Sequence, residues 1–255
     1  KRQNLPNPFP ALQVNVAAAV QVSAPTKKEY KFKRAGTNGA LITIVLDESG
    51  SMVSCWDTTI AGFNEFVAGQ RAADAETGRG YLTLIKFDAP QIKTVFADRP
   101  LTEVPALDKK NYTPNGGTNL LDAIGTAIET VNAALAKMKK KDRPGVIITI
   151  LTDGAENSSR NYNNEQIKAM VAAAERADWT FTFLGANIDA FAVGSTFGMT
   201  AANSVSYDVS NMTSTMSAVS ASTTRMRFAK SAGLSTADIY QNGLYTSDEL
   251  KGMKE

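Results

Sequence analysis

Apolar residues along this chain follow two rhythms. Leu41–Leu46 and Val146–Leu151 are near-continuous apolar runs rich in β-branched side chains. That pattern predicts strands covered on both faces. Tyr81–Phe87 and Gln91–Phe96 are two further strands. The short link Asp88–Ala89–Pro90 between them predicts an antiparallel hairpin. Trp179–Leu184 reads as another strand, and Ser204–Val209 as an edge strand. The second rhythm is helical. Ile60, Phe63, Phe66 and Val67 place an amphipathic helix over Asp57–Ala75. Leu120, Leu121, Ile124, Ile128, Val131 and Leu135 give a longer apolar stripe, ended by the basic run Lys137–Arg143. Asn163 opens the next helix, and Gln166 three residues on has the spacing of a capping box. A short helix follows over Ile188–Phe197. A long one follows over Ser210–Ala229, where Met212, Met216, Val219, Thr223 and Met226 form the core-facing side.

Strands that alternate with helices predict an α/β fold. The expectation is a Rossmann-like, doubly wound, mostly parallel sheet with one antiparallel edge hairpin and helices on both faces. Three regions are expected. Residues 1–38, punctuated by Pro6, Pro8, Pro10 and Pro25, read as an extended arm. Residues 39–230 carry the folded domain, and 231–255 read as a polar tail with a terminal turn at Ser247–Lys251.

Composition narrows the function classes. A net charge of +2 gives no argument for nucleic acid. No apolar run is long enough to span a membrane, and Lys1–Gln21 lacks the hydrophobic region of a secretory leader. Cys55 is the single cysteine, so there is no internal disulfide, which suits a reducing, cytoplasmic compartment. The chain has no histidine. That removes Ser-His nucleophilic sites, histidine general bases and nearly all zinc enzyme sites.

The candidate chemistry sits where strands end. Leu41–Leu46 stops at Asp47, and Ser49 and Ser51 follow at alternate positions around Gly50. Thr118 follows the glycine pair Gly116–Gly117. Asp153 follows the second buried run and precedes Gly154. In open α/β sheets, ligands bind beyond the carboxyl ends of the strands. Two carboxylates and three hydroxyls make an all-oxygen donor set, the preference of a hard divalent cation such as Mg²⁺. Glu48 alternates away from that point and reads as a solvated charge. Asp122 reads as a charge that supports the first turn of its helix, and Cys55 as inert.

With these three segments the chain resembles the von Willebrand factor type A (vWA) family with a complete metal-ion-dependent adhesion site. The matching stretches are Asp47-Glu48-Ser49-Gly50-Ser51, Gly116-Gly117-Thr118-Asn119 and Leu151-Thr152-Asp153-Gly154. Thr152–Ser159 and Phe183–Ala190 look similar to small stand-alone bacterial and phage members. The resemblance implies that Mg²⁺ or Mn²⁺ is held by Ser49, Ser51 and Thr118, with Asp47 and Asp153 acting directly or through water. It implies a coordination position offered to an Asp or Glu of a partner protein, and no enzymatic activity. Met52, Trp56, Tyr112, Asn115, Asn157 and Tyr162 are expected to form the rim that the partner meets. Some small bacterial members are associated with an AAA-type ATPase system. The alternatives are a structural component of a larger assembly such as a phage particle, with a virion location, and a metal-dependent phosphoryl hydrolase using Asp47.

Overall fold

The computed structural model describes residues 39–89, 91–186 and 188–254. The expected N-terminal arm therefore lies outside the described residues. Among the described residues six strands form one sheet: β1 (Ala40–Asp47), β2 (Gly80–Phe87), β3 (Ile92–Pro100), β4 (Gly145–Thr152), β5 (Trp179–Ala186) and β6 (Ser204–Tyr207). Their order is β3-β2-β1-β4-β5-β6. Only β2 and β3 pair antiparallel; every other neighbour pair is parallel. The order reverses between β1 and β4, so the switch point of the sheet lies between the two strands that end near Asp47 and Asp153.

The two apolar runs are neighbours at the centre. Leu41 faces Val146 and the register holds through Leu46 and Leu151. Their alternate residues supply two cores. Ile42, Ile44 and Leu46 pack towards α1 (Trp56–Ala72) and, through Met212, Met216 and Val219, towards α6 (Met212–Ser231). Leu41, Val45, Ile148 and Ile150 pack towards α3 (Leu120–Ala136) and α4 (Asn164–Arg176). Cover on both faces is what an uninterrupted apolar strand requires. The helix on Asn163 begins with the expected capping box, Asn163 accepting from the Gln166 amide and Gln166 from that of Asn163.

Three boundaries differ from expectation. The first helix ends at Ala72, and a short α2 (Asp74–Thr77) follows Ala73, its Asp74 paired with Arg227 of α6 at 2.6 Å. β3 continues to Pro100 through register irregularities opposite Leu82–Ile85. The segment after Ser231 is polar overall, yet it forms α7 (Thr236–Gln241) and α8 (Ser247–Gly252), capped by Ser235 and Thr246. Ile239, Leu244 and Met253 are buried against the sheet and α6, so a few spaced apolar residues dock a polar segment. α5 (Ala190–Thr196) completes the described helices. None of them is long and apolar enough to cross a membrane.

Candidate metal centre

The five candidate residues come together at the carboxyl end of the sheet, on three loops. β1 delivers Asp47, the last residue of a fully buried strand. One carboxylate oxygen accepts the Ser49 amide at 2.7 Å and the other accepts the Thr152 hydroxyl. The backbone then turns into a short 3-10 segment over Gly50–Cys55. The alternation brings Ser49 Oγ within 3.1 Å of Ser51 Oγ, and Ser51 Oγ donates to Asp153 at 2.6 Å. Thr118 is buried just before α3, and its hydroxyl lies close to Gly154, since a Cβ added at Gly154 would sit 3.1 Å from Thr118 Oγ1. Ser51 Oγ lies 3.9 Å from that same point. Hydroxyls from the first and second loops thus flank the turn that carries Asp153.

Backbone bonds lock the loops to one another. Gly50 N–H donates to Gly116 O at 3.1 Å, and Asn115 N–H to Glu48 O at 2.8 Å. Gly116 has φ +72, and a Cβ there would collide with Ala89 O. The glycine demanded by backbone geometry is therefore Gly116; Gly50 is absent from the left-handed region. The Tyr112 hydroxyl donates to Asp47 O at 2.7 Å and anchors the second loop beneath the first.

Burial sets the electrostatics. It pushes the Asp47 carboxyl from its ordinary 3.8 up to about 6, against the Thr152 and Ser49 hydrogen bonds that favour the charged form. Burial raises Asp153 as well, opposed by the Ser51 bond. Two carboxyls whose charged forms are disfavoured by burial form a site short of positive charge. Lys86, the buried cation of β2, does not supply it: its ammonium is held by Glu48 and by Asn111 O. The donor chemistry therefore fits a hard divalent ion. The oxygens are there, a charge deficit is there, and nitrogen or sulfur ligands are not needed. Asn119, next to Thr118, also keeps a buried side-chain oxygen with no partner among the described residues. Among those residues no three His, Cys, Asp or Glu group together, so the fit depends on hydroxyls.

Several expectations need correction. Glu48 is only 7% exposed and pairs with Lys86, while its Oε1 also accepts the Thr113 amide. The alternation does turn it from the ligand side, but into the protein. The clue was Lys86: a cation flanked by Ile85 and Phe87 in a buried strand needs a carboxylate. Met52 and Tyr112 are buried and do not reach the rim; Trp56 and Tyr162 are partly buried, and Asn115 and Asn157 are exposed. Val53, 55% exposed, is a rim residue that periodicity did not single out. Asp122 does more than support its own helix, since its carboxylate accepts the amides of Arg160, Asn161 and Tyr162. Thr152, which holds Asp47, stood in the third matching stretch but was not singled out as a partner of Asp47. Cys55 is buried against Met52.

No protein-family model and no curated protein matches the sequence. Solved structures match in fold. Proximal thread matrix protein 1 from the mussel byssus, with a zinc-occupied MIDAS motif, is 14% identical over 76% of this chain and 48% of its own, with a TM-score of 0.52. The vWF domain of the type V pili tip protein Mfa5 from Porphyromonas gingivalis is 10% identical over 75% of this chain and 97% of that domain, also at 0.52. The chain thus spans about half of the mussel protein and nearly all of the pilus domain. At these identities the likeness is one of fold, the Rossmann-like architecture of vWA domains.

Proposed function

We propose that this chain is a divalent-metal-dependent protein-binding module, with Asp47, Ser49, Ser51, Thr118 and Asp153 as its metal site. The observation that carries the reading is the convergence of these all-oxygen side chains from three separate loops at the switch point of the sheet. The mussel neighbour, whose MIDAS motif holds zinc, supports a metal in this fold. In this chain Mg²⁺ or Mn²⁺ suits the donors, because hard cations favour oxygen and Mg²⁺ retains water when protein carboxylates are few.

Each residue has its own task. Ser49, Ser51 and Thr118 supply neutral oxygens. Asp47 and Asp153 supply charge, and their bonds to Ser49, Thr152 and Ser51 fix the direction of their lone pairs. A bound ion would act as a Lewis acid that attracts an Asp or Glu of a partner. The surrounding rim, with exposed Val53, Asn115 and Asn157, provides apolar and amide contacts of the kind a protein surface uses. An adhesive or structural role in a larger assembly is one use of such a module, and an associated ATPase another.

Calorimetric titration tests the reading. The protein should bind Mn²⁺, and Thr118→Ala, which removes one oxygen without changing charge, should bind it at least about tenfold more weakly. A co-purifying partner should dissociate in EDTA and return with Mg²⁺. A partner held equally well in EDTA, or by the Thr118→Ala protein, would place recognition on another surface.

A further inference from the structure

Two acidic residues take no part in the metal reading, Glu156 in the loop that follows Asp153 and Asp122 on α3 beside it. Glu156 accepts four hydrogen bonds. Oε1 takes the amides of Ser158 and Ser159 at 2.9 and 2.7 Å, and Oε2 takes the Leu121 amide at 2.8 Å and the Ser159 hydroxyl at 2.7 Å. Asp122 also accepts four. Oδ1 takes the amides of Asn161 and Tyr162, both at 2.9 Å, and Oδ2 takes the Arg160 amide at 2.9 Å and the Asn161 side-chain amide at 3.2 Å. A carboxylate offers about four acceptor sites. Both groups are therefore saturated and have no lone pair left for an ion.

The bonds run in both directions between the same two segments. Asn119 precedes α3 but makes no side-chain cap bond to it. The amides that open the helix are instead satisfied from the loop: Leu121 by Glu156, and Asp122 by Ser159 Oγ at 3.1 Å. The helix returns Asp122 to the loop. Thr118 is gripped on both sides, its amide donating to Asn157 Oδ1 at 2.9 Å and its carbonyl accepting the amides of Asn157 and Ser158. Two glycines allow the approach. A Cβ at Gly117 would lie 2.7 Å from Ser158 Oγ, and one at Gly125 would run into the Tyr162 ring.

We infer that Glu156, with Asp122 and Asn157, forms a clasp that fuses the Thr118 and Asp153 loops into one body and so sets the metal affinity without touching the metal. Glu156 is a positioning residue. Its negative charge at the α3 amino terminus also opposes the helix dipole favourably, and its bonds to backbone amides are of the strong charge-assisted kind. Ligating oxygens must be held to a fraction of an ångström for tight binding. Of the two loops that the clasp joins, one brings a hydroxyl and the other a carboxylate. The inference rests on the metal reading above, and the test separates the two.

The test measures Mn²⁺ affinity by calorimetry, thermal stability in EDTA, and amide exchange by NMR, in the full chain. Glu156→Gln turns one acceptor oxygen into a donor that faces amides. It should weaken Mn²⁺ about tenfold or more, as expected for loss of a supporting contact outside the ligand set. It should also speed exchange at Leu121, Ser158 and Ser159 in the metal-free protein. Asp122→Asn should act in the same direction, and Ser159→Ala more weakly. Arg225→Met is the control for simple destabilisation. It breaks the Arg225–Glu249 ion pair between α6 and α8, away from the site, and should leave Mn²⁺ affinity unchanged. Wild-type affinity in Glu156→Gln, or an equal loss in Arg225→Met, would overturn the clasp while the metal site stands. No Mn²⁺ binding by the unsubstituted protein would overturn the metal reading and the clasp with it.

Discussion

Asp47 and Asp153 stand at the carboxyl ends of adjacent parallel strands, yet the protein treats them differently. Asp47 is fully buried, the last residue of β1, and receives the Thr152 hydroxyl and the Ser49 amide. Asp153 stands one residue beyond β4, is partly exposed, and receives the Ser51 hydroxyl. The first is held by the sheet, the second by another loop of the site. Burial raises both carboxyls, and it carries Asp47 to about 6. Asp47 thus carries the larger cost of ionisation and two bonds from the strand ends, whereas Asp153 is held by one bond from a neighbouring loop. If the pair holds a cation as proposed, Asp47 is the anchor set by the sheet and Asp153 the arm set by another loop.

Removing the fixed anchor should have the largest effect. Asp47→Asn is expected to weaken Mn²⁺ by about a hundredfold or more, the loss of one buried, aligned carboxylate. The same change should stabilise the metal-free protein. The sign follows from the raised carboxyl. The folded chain binds this proton more tightly than the unfolded chain, so ionisation of Asp47 opposes folding. The cost is absent below about 3.8, grows as pH rises through about 6, and reaches about 3 kcal/mol at neutral pH. Asn at this position avoids it, although its amide is a poorer match for the Ser49 and Thr152 donors. A net gain of about 1–2 kcal/mol should raise Tm in EDTA by several degrees in a domain of this size. A lower Tm in EDTA would show that the hydrogen bonds outweigh the burial of charge.

Asp153→Asn should weaken Mn²⁺ by about tenfold to a hundredfold, with little change in metal-free Tm, because the group is only partly buried. Equal effects of the two substitutions on Tm would erase the distinction between anchor and arm.

Acid offers a graded version of the first experiment. Below about pH 6, Mn²⁺ has to displace a proton from Asp47, so affinity should fall by up to about tenfold for each further pH unit. In EDTA the unsubstituted protein should gain stability from this group between pH 7 and 5, while Asp47→Asn should lack that component. Calorimetry and melting curves at pH 5, 6 and 7 read both.

The smallest expected effect belongs to Thr152→Val. It keeps the shape of a buried residue and removes the hydroxyl that favours ionised Asp47. Asp47 should titrate higher, and Mn²⁺ affinity at pH 6 should fall a few-fold, with a smaller loss at pH 8. A loss that does not depend on pH would mean that Thr152 orients Asp47 without tuning it.

Much of this architecture was legible in the residues. Unbroken apolar runs can be satisfied only between two layers of helix, so Leu41–Leu46 and Val146–Leu151 identified the centre of the sheet. Asp47, Ser49, Ser51 and Asp153 could be picked out because polar residues just beyond such strands stand where an open sheet binds ligands, and Thr118 because it follows a glycine pair. The capping box at Asn163 was local and therefore readable. The tertiary structure decided everything that depends on a partner distant in sequence. Glu48 looked solvated until Lys86 on the neighbouring strand met it. Met52 and Tyr112 looked like rim residues until the loops folded over them. Polar residues after Ser231 gave no sign that Ile239, Leu244 and Met253 would find a groove. Periodicity reports which face of an element is buried, because that follows from the element's own geometry. It is silent on which acceptor meets which donor across separate loops. The carboxylates of Glu156 and Asp122, the hydroxyl of Thr152 and the backbone turn at Gly116 acquired their roles only when three loops closed on one another.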